Sequence, residues 1–201
     1  MDSAPQITPT DDPLVLFQQW FAEAAAREPG LPEAMSLATA TRDGRPSVRM
    51  VLLKGFATSG FVFYTNTHSR KGREIAENPF GALCLYWKSL SRQVRIEGPF
   101  SAVTVAEADA YFDSRPRDSQ LAAWASLQSE PLAARATLLE RFKAAQARYD
   151  GGPVPRPHQW SGYRLRPESI EFWQDISNRL HDRLVYERSA DARWQWRRLY
   201  P

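Results

Sequence analysis

Ser69-Arg70-Lys71 sets a hydroxyl, a guanidinium and an ammonium in consecutive positions where a helix is expected to begin. The first N–H groups of a helix lack intrahelical partners and its dipole is positive at that end, so this trio suits a phosphate; a basic helix start held in solvent would use the same residues. Arg49 and Lys54, at opposite ends of the strand expected before it, offer further anion contacts. A second group joins Tyr111 and Arg115, four apart and so on one helical face, with Arg117 and Ser119 just beyond. A phenol, a guanidinium and a hydroxyl together can bind a second phosphate, although Tyr111 and Arg115 could also simply stack on each other. A third group lies near the C-terminus, where Glu171-Phe172-Trp173-Gln174 precedes Arg179-Leu180-His181-Asp182-Arg183. Strand alternation would put Arg179, His181 and Arg183 on one side and Leu180 and Asp182 on the other. Three cations on one face repel unless an anion or planar ligand lies between them. His181 would then donate a proton or hydrogen bond near neutral pH, or else pair with Asp182.

The elements that must position these groups are legible from periodicity. Residues 1–11 are polar and aperiodic and predict a mobile arm, leaving 12–201 as one domain. Asp12-Pro13 starts a helix with Leu14, Phe17, Phe21 and Ala24 on one face. Strands over 34–40 and 46–54 flank the turn Arg42-Asp43-Gly44-Arg45, and Val48, Met50 and Leu52 form the expected buried face of the second. A strand over 61–66, the helix from Ser69 to Asn78, and strands over 80–87 and 93–98 follow. Thr104 and Glu107 form a capping box for a third helix, which runs into Ser114–Gln120. Helical pieces over 121–127 and from Ser129 to about Tyr149, a proline-rich loop, and strands over 162–166, 170–174, 183–188 and 194–199 complete the chain. Many short strands joined by short turns predict a mainly β, α+β fold built on an antiparallel sheet or barrel.

Composition excludes several classes. A formal charge of +3, from 26 basic against 23 acidic residues, is too balanced for a nucleic-acid surface, and no basic run appears. The single Cys84 fits a reducing compartment, no apolar run is long enough for a membrane span, and the N-terminus lacks a signal-peptide pattern, so a cytoplasmic protein is expected. Three histidines without metal-site spacing, and the absence of P-loop, nucleotide-fingerprint or serine-hydrolase motifs, leave an organic cofactor as the source of chemistry. Phosphate sites beside aromatic segments point to a phosphorylated flavin.

These segments resemble the pyridoxine (pyridoxamine) 5′-phosphate oxidase family of FMN-dependent split-barrel enzymes. The resemblance runs from about Asp12 to Pro201. It rests on Arg49–Lys54, Gly60–Asn66, Ser69–Lys71, Arg92–Arg95, Tyr111–Gln120, Gln128-Ser129, Glu171–Gln174 and Arg179–Arg183 in the family's order. It implies that FMN is held by Arg49, Met50, Val51, Leu52, Leu53, Lys54, Tyr64, Thr65, Ser69, Arg70 and Lys71. Gln93, Gln128, Ser129, Trp173 and Arg183 would also contact FMN, some from the second subunit of a homodimer. It implies that Lys54, Tyr111, Arg115 and Ser119 grip the substrate phosphate, and that Arg179, Leu180 and His181 lie over the substrate ring, with Arg179 and His181 as the catalytic pair. The implied reaction oxidises pyridoxine or pyridoxamine 5′-phosphate to pyridoxal 5′-phosphate with O2.

This chain departs from the family pattern in three places. Residues 1–11 lack the arginine and tyrosine of the segment that closes over substrate in the family, Trp160-Ser161-Gly162 replaces Trp-Gly-Gly, and Asp175–Asn178 stands where glycines are common. Two alternatives remain. One is a related flavin oxidase on another ring system, of the phenazine-biosynthesis type, against which Arg115 argues because it would have no phosphate to bind. The other is a non-catalytic flavin or pyridoxal-phosphate carrier, which would have no need of the Arg179/His181 pair.

Overall fold

The computed structural model describes residues 6–201. Asp12 caps helix α1 (Pro13–Arg27), accepting from Leu14 N at 2.9 Å. The helix buries Leu16, Phe17, Trp20 and Ala24, while Leu14 and Phe21 pack at the core's edge, so the apolar stripe is rotated from the expected one. Strands β1 (Ala34–Ala40) and β2 (Pro46–Leu52) form the expected hairpin, with Gly44 at φ +84° in its turn. β2 stops at Leu52, and β3 (Gly55–Ala57) and β4 (Gly60–Asn66) form a second hairpin before helix α2 (Arg70–Glu77), capped by Ser69.

β5 (Phe80–Trp87) and β6 (Arg92–Ala102) lead to α3 (Val105–Asp113), whose Thr104/Glu107 capping box forms as expected. Helix α4 spans Arg117–Ala125, so Arg117–Gln120, expected in a connecting segment, is its first turn. Helix α5 starts only at Arg135 (Arg135–Arg148), because Ser129 takes φ +73°, a left-handed conformation that cannot begin a helix. β7 (Trp160–Leu165), β8 (Ser169–Gln174), β9 (Asp182–Arg188) and β10 (Trp194–Arg198) complete the chain.

All pairings are antiparallel, in the order β10-β9-β8-β6-β5-β1-β2. The long β6 pairs with β8 over 92–97 and with β7 over 100–102, and β7 carries β4 and β3. Gly98 lies at the changeover, where a Cβ would stand 2.1 Å from Arg166 O. One strand shared by two partners in this way curls the sheet into a half-barrel around Phe17, Phe61, Trp87 and Phe172. This is the mainly β, antiparallel architecture with flanking helices that the pattern of elements predicts, and the split barrel that the family resemblance implies.

Two expectations are corrected. Val48 and Met50, expected on a buried face, are 68% and 62% exposed, because β2 is the last strand of the sheet and it is the Arg49 face that turns inward. In register with them, Ser36, Cys84, Ala38 and Ala82 extend the same outer face, and Tyr86, 56% exposed, adds an aromatic ring to it. Part of the expected mobile arm is tied down. Ile7 is buried, its N–H donates to Asp182 Oδ2 at 2.7 Å, and Thr10 N donates to Tyr186 Oη at 2.8 Å. Residues 1–5 of that arm lie outside the described residues. Among the described residues no helix is long and apolar enough to cross a membrane.

Candidate active site

The Ser69-Arg70-Lys71 trio opens α2 beside the ends of β2 and β4. Lys71 is buried, its Nζ 2.8 Å from Gln128 Oε1, 3.0 Å from Ser69 Oγ and 3.2 Å from Thr65 Oγ1. Burial, then the neighbouring Arg49 charge, brings its ammonium down to about 8, against a smaller opposing pull from Glu74. Arg49 and Arg70 meet at Glu74 one turn further along α2, at 3.1 Å and 2.8 Å. Burial alone would push the Glu74 carboxyl up, but hydrogen bonds from Ser47, Thr39, Arg70 and Arg49 together bring it down to about 2. Glu74 was not foreseen; its signal was the four-residue spacing from Arg70.

Two cavities meet at Met50, Lys71 and Gln128. One, of about 370 Å³, adds Arg49, Arg70 and Ser129. The other, of about 400 Å³, is lined by Val51, Leu52, Lys54, Tyr64, Thr65, Tyr111, Arg115 and Trp160. Lys54 Nζ stands 3.6 Å from Glu33. The Arg115 guanidinium is partly buried, and its Nη1 has no hydrogen-bond partner. Tyr111 stacks on Tyr64 at 4.0 Å rather than on Arg115. Three predicted residues fall off these walls: Leu53 is buried in the core, Ser69 is fully buried with its Oγ accepting from Lys71, and Ser119 lies in the first turn of α4 with its N–H on Pro116 O. Trp160, Asn66, Ala122, Ala123 and Ser126 line the larger cavity without having been singled out for it. Trp160 carried a faint signal as the aromatic that ends the proline-rich loop.

The C-terminal group gathers elsewhere. Gln93, Trp173 and Arg183 stand in one row across β6, β8 and β9. Arg183 donates to both Glu171 carboxylate oxygens, at 2.9 and 3.1 Å, and these bonds raise its pKa; Arg95 reaches the same carboxylate. The expected strand alternation over 179–183 is corrected: residues 177–179 form a 3₁₀ turn with Asn178 and Arg179 both at φ +61°, and β9 begins at Asp182. His181 therefore leaves the strand, with Nδ1 2.8 Å from Asp175 Oδ1 and its ring 4.8 Å from that of Trp173. Asp182, the alternative partner considered for His181, instead engages Ile7 N and Arg198. Leu180 is 66% exposed. β6, β5 and β1 separate β8 from β2, so this group stands on a different part of the sheet from the two cavities.

Comparison with known proteins decides the family. Residues 21–149 match the family model described as pyridoxamine 5′-phosphate oxidase, and residues 160–201 match that of the pyridoxine 5′-phosphate oxidase C-terminal dimerisation region. The chain belongs to the pyridoxamine 5′-phosphate oxidase family. It is 60% identical over 192 residues to the pyridoxine/pyridoxamine 5′-phosphate oxidase of Sphingopyxis alaskensis, covering 96% of this chain and 88% of that one. It is 57% identical to that of Gluconobacter oxydans over the whole of both. Among solved structures, PhzG from Burkholderia lata 383, in complex with tetrahydrophenazine-1-carboxylic acid, superposes with a TM-score of 0.90 at 36% identity, covering 96% and 94%. A pyridoxamine 5′-phosphate oxidase-related, FMN-binding protein of Nostoc punctiforme, at 19% identity and TM-score 0.73, covers 92% and 97% and shares the fold. The chain is thus an enzyme of an oxidase family, and its dimerisation region supports a homodimer.

Proposed function

We propose that this chain oxidises pyridoxine 5′-phosphate and pyridoxamine 5′-phosphate to pyridoxal 5′-phosphate in the cytoplasm, with FMN as cofactor and O2 as electron acceptor, releasing H2O2, and NH3 from the amine. The observation that carries this reading is the buried, unpartnered Nη1 of Arg115 on the wall of a cavity that the buried Lys71 also lines. A half-buried guanidinium with a free donor is costly unless an oxyanion completes it, and the two cations give one cavity two anion sites. The donor set fits FMN. Ser69, Arg70 and Lys71 at the start of α2, with Arg49, Thr65, Gln128 and Ser129, would hold its phosphate, and Met50, Val51, Leu52 and Tyr64 would flank the rest. Bound FMN would supply hydride acceptance from the substrate C4′ carbon and electron transfer to O2.

The chain's own task is position. Lys54, Tyr111 and Arg115 would grip the substrate phosphate, with Ser119 nearby. A second copy would bring Gln93, Trp173 and Arg183 to the flavin, and Arg179, Leu180 and His181 over the substrate ring. Strand order supports this division, since the two groups stand on different parts of the sheet of one chain. The Asp175–His181 pair would orient the imidazole against Trp173.

The likeness to PhzG, whose structure holds a ring carboxylate, favours as second reading an oxidase of an unphosphorylated ring. Arg115 distinguishes them. An aerobic assay of FMN-reconstituted protein with pyridoxine 5′-phosphate, pyridoxamine 5′-phosphate and pyridoxine, following aldehyde and H2O2, should give turnover with the phosphate esters alone. Equal turnover of pyridoxine, or none of the three, would overturn the proposal.

A further inference from the structure

Arg115 rests on an aromatic floor. Its guanidinium carbon lies 4.7 Å from the centroid of the Trp160 ring and 5.7 Å from that of Phe112, and among the described residues it makes no ion pair. Trp160, 7% exposed, opens β7 opposite Asn66 and is fixed at both backbone groups: its N–H donates to Pro157 O at 2.9 Å and its carbonyl accepts from Arg156 Nη1 at 2.7 Å. Arg156 is anchored in turn on Asp109 of α3 at 2.6 Å. The Trp160 ring continues into a near-parallel stack, with Tyr64 at 5.5 Å and 5°, and Tyr111 on Tyr64 at 4.0 Å and 12°.

The chemistry of this contact differs from that of the other arginines nearby. A carboxylate partner, such as Glu74 gives Arg49, neutralises a guanidinium and occupies its N–H edge. An aromatic face engages only the guanidinium plane, so charge and edge donors stay free. We propose that Trp160 is the positioning residue for phosphate-ester recognition: it fixes Arg115 face-on, leaving the guanidinium edge for the ligand's phosphate. This rests on the role given to Arg115 above.

The test is equilibrium binding of pyridoxal 5′-phosphate to the FMN-loaded protein, with steady-state kinetics alongside, for Trp160→Leu, Trp160→Phe, Arg115→Ala and the double variant. Trp160→Leu should weaken binding by about 3- to 30-fold, the span of a cation–π contact from exposed to desolvated. The loss should fall in KM rather than kcat, with FMN affinity held. Trp160→Phe, which keeps an aromatic face, should recover most of it. In the Arg115→Ala background Trp160→Leu should cost nothing further, because the two residues act as one unit. An unchanged affinity in Trp160→Leu, an equal loss in the Arg115→Ala background, or a parallel loss of FMN would overturn the proposal. Should Trp160→Leu fail to fold, Trp160→Met, which likewise lacks an aromatic face, carries the same comparison with and without Arg115→Ala. Wild-type protein that bound pyridoxal 5′-phosphate but oxidised neither ester would defeat the oxidase reading while leaving the binding comparison to decide the role of Trp160.

Discussion

Lys71 should make cofactor affinity fall with rising pH in a range where ordinary lysines are silent. Its ammonium, buried between Thr65, Ser69 and Gln128, titrates at about 8 rather than near 10.5. The sign follows from charge: deprotonation removes the cation that faces the proposed phosphate, whereas the second phosphate ionisation, near pH 6, is already about nine-tenths complete at pH 7 and acts in the opposite direction. At pH 7 about nine-tenths of the free protein carries the charge and at pH 9 about one-tenth, so FMN should bind roughly tenfold more weakly at pH 9, a loss of ~1.4 kcal/mol. Flavin fluorescence titrations of apoprotein from pH 6.5 to 9.5 measure this directly. Lys71→Arg keeps its charge throughout and should flatten the profile, while Lys71→Met should bind weakly at every pH. A wild-type affinity level to within about twofold from pH 7 to 9, or an equal slope in Lys71→Arg, would refute the reasoning.

Glu74 predicts an acid-sensitive fold. Its carboxyl is held at about 2, below its ordinary value, so its stabilisation is full above pH ~4.5 and lost as pH falls towards 2. The shift is worth about 3 kcal/mol, and denaturation midpoints from pH 7 to 3 should decline less steeply in Glu74→Gln, which starts from a lower value at pH 7. Met50→Glu, on the exposed outer face of β2, should shift the chain from dimer to monomer by light scattering and lower FMN affinity with it, whereas a dimer that survives the charge would put the interface elsewhere. His181→Ala and Arg179→Ala should each lower kcat on the order of 10²-fold while the protein stays yellow; loss of flavin with normal turnover on added FMN would reverse the assigned roles.

The elements were legible where local chemistry decides them. Asp12-Pro13, the Asp43-Gly44 turn and the Thr104/Glu107 box name their own conformations, and all three formed as expected. Elements set by tertiary context were not. Ser129 looks like a helix cap but takes a left-handed conformation, and Arg179–Arg183 alternates like a strand yet contains a 3₁₀ turn. Val48 and Met50 misled for another reason. Alternation shows that a strand has an apolar face, but not whether the same chain covers it, and on the last strand of this sheet none of it does. The site residues divide in the same way: charged groups stood out by type, while Trp160 and Glu74, which hold three of those charges in place, look ordinary in a sequence.

The site's cations divide by the kind of partner that holds them. Glu74 takes Arg49 and Arg70 together, Glu171 takes Arg95 and Arg183 together, and Asp109 takes Arg156, each carboxylate fixing geometry and offsetting one positive charge. Among the described residues, Lys71 and Arg115 form no such pair; the first is cradled by neutral oxygens and the second by an aromatic face. Desolvation lowers the pKa of both, which is the electrostatic cost of holding a positive charge without a counter-charge. An anion in the cavity that both residues line would offset that cost, and the proposed reaction would supply two, on a phosphorylated cofactor and a phosphorylated substrate.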